Sequence, residues 1–143
     1  QFNLTTRRHS AADIQRMLAS TDWVTRAVKL SDRFGDNGLI SVLLAQRQDD
    51  ALTIDTWLMS CRVLKRGVEQ YLLNHVVTIA REMGLHRVTG EYIPTARNGL
   101  VKDHFEGLGF AKTFAGDDGR TRWELVVDDA WKPLPHHISE EIA

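Results

Sequence analysis

Residues 52–73 constrain this chain more than any other stretch. Leu52-Thr53-Ile54-Asp55-Thr56-Trp57-Leu58-Met59 alternates as a strand does, and from Val68 the apolar residues recur at helical spacing. Between them runs Ser60-Cys61-Arg62-Val63-Leu64-Lys65-Arg66-Gly67, a basic turn containing one glycine. A turn of this kind, leading from a strand into a helix N-terminus, presents unpaired backbone N–H groups beside positive side chains. That is the outline of an anion site suited to phosphate or pyrophosphate. It also commits the chain to a fold that mixes sheet with helix.

The remaining segments supply the partners. Residues 2–6 read as a first strand. Ser10 and Asp13 resemble a capping box ahead of Ile14, Met17 and Leu18 at helical spacing. Residues 23–30 and 39–45 read as a hairpin around Phe34-Gly35-Asp36-Asn37-Gly38. The helix over 68–83 ends at Gly84, where a C-cap glycine belongs. A fifth strand follows over 86–93, then a short helix over 98–107 with Leu100, Val101, Phe105 and Leu108 inward. A last hairpin spans 110–114 and 122–127. The order β-α-β-β-β-α-β-α-β-β predicts an α/β domain over 1–127, its mixed, mostly antiparallel sheet flanked by helices. Residues 128–143 hold two of the three prolines and read as a loose tail or linker.

Composition narrows the function. The chain has 143 residues, enough for one domain with its own core. A net charge of −1 argues against a dedicated nucleic-acid binder. No apolar run approaches a membrane span. Cys61 is the one cysteine, so no intrachain disulfide forms, and a free thiol fits a reducing cytoplasm. The six histidines lack ligand spacing, so no metal site is expected. The opening Gln1-Phe2-Asn3-Leu4 already reads as a strand without an initiating Met, as in a piece of a longer polypeptide.

The element order, with its phosphate-type turn after the fourth strand, resembles the GNAT acyltransferase fold. That family carries Gln/Arg-x-x-Gly-x-Gly/Ala at this turn, where backbone amides hold the pyrophosphate of acyl-CoA. Here Arg62 and Gly67 match with Lys65 in place of the first Gly, or, with Gly67 set on the first Gly to suit Leu72-Leu73, Leu64 falls at the Gln/Arg position; Phe105 stands where a Tyr is common. The closer resemblance is to the C-terminal GNAT-like domain of FkbH-like proteins (HAD subfamily IIIC). Gln1-Phe2-Asn3-Leu4-Thr5-Thr6-Arg7-Arg8, Asp32-Arg33-Phe34-Gly35-Asp36-Asn37-Gly38, Met59-Ser60-Cys61-Arg62-Val63-Leu64, Arg66-Gly67-Val68-Glu69 and Gly90-Glu91-Tyr92-Ile93-Pro94-Thr95-Ala96 are similar to its recurring segments. That resemblance implies an upstream HAD-like domain and loading of a glyceryl or similar acyl unit onto an acyl carrier protein in polyketide biosynthesis. The acyl carrier is the phosphopantetheine of that protein, or CoA, with no tightly bound cofactor. The binding set it implies is Met59, Arg62, Val63, Lys65, Arg66, Gly67, Val68 and Asn98.

Each candidate has a plainer reading beside it. Cys61 lies next to Arg62 at a helix N-terminus, where a thiolate is favoured and could carry an acyl group as a thioester; it could equally fill space under the turn. Arg62, Lys65 and Arg66 put three cations into five residues, suited to a phosphate or an acidic carrier surface, or simply solvated. Glu91 falls on the fifth strand, where it and the fourth would splay around a substrate; it is a general base or the ion-pair partner of Arg7 or Arg97. Alternation turns Tyr92 away from Glu91, and His104 is expected to be exposed. Asp32, Asp36 and Asn37 are explained by turn chemistry. The resulting expectation is an acyltransferase domain. A non-catalytic carrier-docking module and a free-standing CoA-dependent N-acetyltransferase are the alternatives.

Overall fold

β-Branched and aromatic residues alternate with polar ones in the strands over 23–32, 35–48 and 51–59, which form one half of the sheet, and most of the rest comes from strands later in the chain. The computed structural model describes residues 2–5, 7, 9–32, 35–96 and 98–139, and of Phe2, Asp32, Asn37, Cys61 and Leu100 the backbone alone. The strands are β1 (Phe2–Asn3), β2 (Trp23–Asp32), β3 (Gly35–Gln48), β4 (Ala51–Met59), β5 (Arg87–Tyr92), β6 (Ala111–Ala115) and β7 (Thr121–Val126). The helices are α1 (Ala11–Ala19), α2 (Val68–Glu82) and α3 (His104–Gly107), with 3-10 turns at Cys61–Val63 and Gly99–Val101.

Among the described residues, one seven-stranded sheet runs β2-β3-β4-β5-β7-β6, with β1 added on β4. β2 and β3 form the expected hairpin, longer than the alternation implied, from Trp23↔Gln46 to Asp32↔Gly35. The asparagine–glycine-rich segment is therefore paired rather than looped, and the register shifts near Lys29 absorb its irregularity. β4 and β5 are parallel, and their ladder covers only Ala51↔Arg87, Leu52↔Val88 and Thr53↔Thr89. The other pairings are antiparallel. The mixed, mostly antiparallel sheet with flanking helices is the one the sequence implies.

The capping box of α1 forms: the Ser10 hydroxyl accepts from the Asp13 N–H at 3.1 Å, and the Asp13 carboxylate accepts from the Ser10 N–H at 3.0 Å. α2 buries Val68, Leu72, Leu73, Val76, Val77 and Ala80 in one core with Leu52, Ile54 and Val88. Each of the valine, leucine and isoleucine side chains contributes roughly 1.5–3 kcal/mol by leaving water. Gly84 ends the helix at φ 74°, a left-handed conformation that glycine adopts without strain.

Two expectations need correction. Residues 98–107 are not one helix: Asp103, at φ −99° and ψ 15°, separates the 3-10 turn from α3. Packing decides this, because Phe105 (1 % exposed) is driven against the backbone of Gly90, where an added Cβ would penetrate the ring. Residues 128–139 form no helix or strand, yet they are not loose. The Asn74 side chain donates to the Leu134 carbonyl at 2.9 Å and accepts from its N–H at 2.8 Å, and the Arg81 guanidinium lies 5.5 Å from the Trp131 ring centroid. Leu134 and Ile138 pack against the core. Pro133 and Pro135 interrupt regular structure in this stretch without preventing docking. Among the described residues no helix is long and apolar enough to cross a membrane.

The Gly90–Phe105 contact predicts that Gly90→Ala destabilises the domain by about 2 kcal/mol, the cost of overpacking. Adding Phe105→Leu should recover part of that loss in a denaturant titration. Equal stabilities for wild type and Gly90→Ala would show that the ring does not seat on this glycine.

Candidate functional site

After Thr53↔Thr89 the two parallel strands part, although β4 continues six residues further. This is the splay expected around Glu91. β3 covers one edge of β4 throughout, from Gln48↔Ala51 to Ser41↔Met59. The opposite edge faces the splay, and β1 pairs there, Asn3 with Leu58 and Phe2 with Met59. Leu4 bridges to the other side, accepting from the Ile93 N–H at 2.8 Å, and the Thr5 hydroxyl donates to the Asp55 carbonyl at 2.8 Å. Leu4 and Thr5 are buried. Buried backbone groups must find partners, and the chain's own segment 2–5 supplies them.

The turn into α2 has the expected backbone but a busier interior. Lys65 sits at φ 62° and Gly67 at φ 91°, so the loop takes a glycine-type conformation at Lys65 despite its Cβ. A left-handed non-glycine residue costs about 1 kcal/mol. Several amides are already committed: Val63 N–H to the Ser60 carbonyl at 3.1 Å, Arg66 N–H to the Val63 carbonyl at 3.3 Å, and Lys65 N–H to the Glu69 carboxylate at 3.0 Å. Glu69, not singled out from sequence, thus places a negative charge beside the α2 N-terminus, where an anion is favoured. Arg62, Lys65 and Arg66 are exposed, while Val63 and Val68 are buried and could offer a ligand only their backbone. The backbone of Cys61 opens the 3-10 turn; its side chain lies outside those described.

Asn98 is structural. It is 1 % exposed, its amide donates to the Asn3 and Ile93 carbonyls at 2.9 and 2.8 Å, and its Oδ1 accepts from the Thr95 N–H and the Tyr92 hydroxyl. It ties segment 2–5 to the end of β5. Tyr92 points to this buried side, opposite Glu91 as alternation required, and burial raises its phenol above the ordinary value, with a smaller push from Asp103.

On the other face, Thr53, Asp55, Thr89, Glu91, Arg7 and Arg122 help line a polar trench of about 560 Å³. Glu91 accepts from Arg7 at 2.7 Å and from Arg122 at 3.4 Å. Arg97, the other proposed partner, lies outside the described residues. Each oxygen of a carboxylate can accept two hydrogen bonds, so Glu91 keeps capacity for a substrate donor. Asp55 pairs with His9 at 2.7 Å and accepts from the Thr56 hydroxyl at 2.6 Å. The His9–Asp55 pair spans 46 positions and left no signal in the sequence, where His9 is one scattered histidine among six. Asp36 accepts from the Gly38 N–H at 2.6 Å, as turn chemistry implies.

His104 corrects another expectation. It is half-buried, its ring edge-on to Trp57 with centroids 4.5 Å apart, and burial pushes its imidazole down to about 3. It stays neutral at physiological pH. Among the described residues no group of three or more His, Cys, Asp or Glu could hold a metal ion.

Two measurements test this geometry. An unfolded His104 titrates near 6.5 and the folded one near 3, so the unfolded chain binds the extra proton between these values. Stability is therefore full above pH 6.5 and falls as pH drops towards 3, by up to about 1.4 kcal/mol per pH unit. His104→Gln should flatten that slope in urea titrations; an unchanged slope would place the ring in water. Lys65→Gly should raise stability by about 1 kcal/mol by relieving the left-handed strain, and a loss of stability would contradict the observed backbone.

No protein-family model and no curated protein matches the chain. Solved structures do. The chain is similar to the GNAT domain of S. lividans PAT, at 26% identity over 83% of this chain and 70% of that one, with a TM-score of 0.64. It is similar to the ribosomal-protein-S18-alanine N-acetyltransferase from Escherichia coli, at 16% identity over 92% and 86% of the two chains and a TM-score of 0.59. A third is PaiA N-acetyltransferase from Thermoplasma acidophilum, solved in complex with coenzyme A, at 14% identity over 79% and 66% and a TM-score of 0.60. The parted parallel strands, the left-handed turn and these likenesses together establish that the chain has the GNAT fold.

Proposed function

We propose that this chain is an acyltransferase domain whose donor is an acyl-phosphopantetheine. The carrying observation is the parting of parallel β4 and β5 directly ahead of a basic turn with two left-handed residues at the mouth of α2. The gap between the parted strands suits an extended pantetheine arm in place of segment 2–5, and its phosphate suits the neighbourhood of exposed Arg62, Lys65 and Arg66. The acceptor lies in the polar trench on the opposite face. Its nucleophile forms the new bond to the acyl carbon, the thioester C–S bond breaks, and the departing thiol takes up a proton. Glu91 and the His9–Asp55 pair are the groups within the trench region able to move that proton. Cys61, at the head of the turn, is the candidate for a covalent acyl intermediate.

The finer reading follows the recurring segments described above. The domain acts in the cytoplasm beside an upstream HAD-like domain and loads a glyceryl or similar unit onto an acyl carrier protein for polyketide assembly. A second reading, a carrier-docking module without catalysis, draws support from the internal bonds at the β4 edge and the turn. The likeness to a coenzyme A complex supports a CoA-dependent N-acetyltransferase as a third.

Calorimetric titration with CoA and with a phosphopantetheine-loaded carrier protein separates the three. The carrier should bind at least ~10-fold more tightly than CoA, a difference of about 1.4 kcal/mol. Tighter binding of free CoA would favour the N-acetyltransferase. If the carrier binds and turnover of the acyl unit survives neither Cys61→Ala nor Glu91→Gln, the domain is catalytic. Binding with no turnover in wild type leaves the docking module, and binding of neither ligand removes the pantetheine site.

A further inference from the structure

Three of the chain's own groups stand along the path an acyl-pantetheine would take. Phe2 and Asn3 lie against Met59 and Leu58, so an extended peptide occupies the β4 edge inside the splay. The Glu69 carboxylate accepts from the Lys65 N–H at the mouth of α2. The docked tail crosses the same place, where a Cβ added to Gly67 would lie 3.3 Å from the His136 Cβ. Each resembles a piece of the ligand or covers its seat: backbone amides stand for the amides of pantetheine, and a carboxylate stands for its phosphate.

We propose that the donor site is self-occluded, with residues 2–5 and the pantetheine arm competing for one edge of β4. The inference rests on the acyl-pantetheine reading above. The exchange is chemically matched, since the arm also presents extended amides able to bond the β4 edge that Phe2 and Asn3 occupy. It is also local. β1 contributes two paired residues, against eight pairs between β3 and β4, and a two-residue pairing opens at lower cost than a long central ladder. The N-terminal segment thereby sets the affinity, because a ligand that binds only the open form has its apparent affinity reduced by the open fraction. The closed form also holds together around Asn98, which bonds both Asn3 and Ile93, so departure of the segment removes the Asn98–Asn3 and Ile93–Leu4 bonds while Asn98 keeps its hold on Ile93 and Thr95. The structural change is thus readable at Ile93, whose N–H donates to Leu4 in the closed form.

A reversible lock tests this. Asn3→Cys with Leu58→Cys, in a Cys61→Ser background, places two thiols on directly opposed residues of an antiparallel pair. CoA serves as the probe, a soluble phosphopantetheine. The oxidised form should bind CoA at least ~10-fold more weakly than the reduced form, and in the wild type CoA should accelerate hydrogen exchange at the Ile93 amide. Thr5→Val, which removes the hydroxyl donor to Asp55 and keeps the side-chain volume, should bind CoA more tightly than wild type. Equal binding by oxidised and reduced forms, or binding that leaves Ile93 protected, overturns self-occlusion and leaves the pantetheine reading standing. The same comparison is run with the phosphopantetheine-loaded carrier protein, and no binding of either CoA or the carrier by wild type, the reduced form or Thr5→Val overturns both.

Discussion

The parallel ladder between β4 and β5 lasts three residue pairs, and much of the remaining architecture answers to its end. Two strands that part inside a domain leave backbone donors and acceptors with no partner, and such groups cannot stay bare when buried. Segment 2–5 satisfies them. β1 pairs with the end of β4, Leu4 accepts from the amide that follows β5, and the Asn98 amide fastens the joint through Asn3 and Ile93. Asn98 precedes the 3-10 turn, and Phe105, in the short α3 that follows, closes over Gly90.

The turn between β4 and α2 shows how the same backbone can serve two ends. Its positive φ values at Lys65 and Gly67 create the concavity expected of an anion seat. Part of that backbone is used internally, by Glu69 and by hydrogen bonds within the turn. The exposed cations remain, so the charge that would attract a phosphate is present while part of the hydrogen-bonding capacity is spoken for. The polar trench on the opposite face follows the same pattern, with Glu91 and Asp55 ion-paired yet retaining lone pairs for a further donor.

Much of the fold was legible because it is written in local periodicity. The capping box at Ser10, the apolar face of α2 and the alternation of β4 each follow from residues within a turn or two of one another. The candidate site was legible in part. The basic turn and the position of Glu91 could be placed, because a strand-to-helix junction and a strand register are local properties. The His9–Asp55 pair, the burial of His104 against Trp57 and the docking of the tail on Asn74 could not, since each joins residues some 46 to 60 positions apart.

The sequence by itself determined the order of elements, the mixed sheet and the glycine-bearing basic turn, because periodicity, caps and turn residues act over short range. Only the tertiary structure decided what lies between the parted strands. Nothing in Phe2-Asn3-Leu4-Thr5 says which of several unpaired edges it will join; that choice depends on where two distant strands stop pairing and leave a gap of the right width.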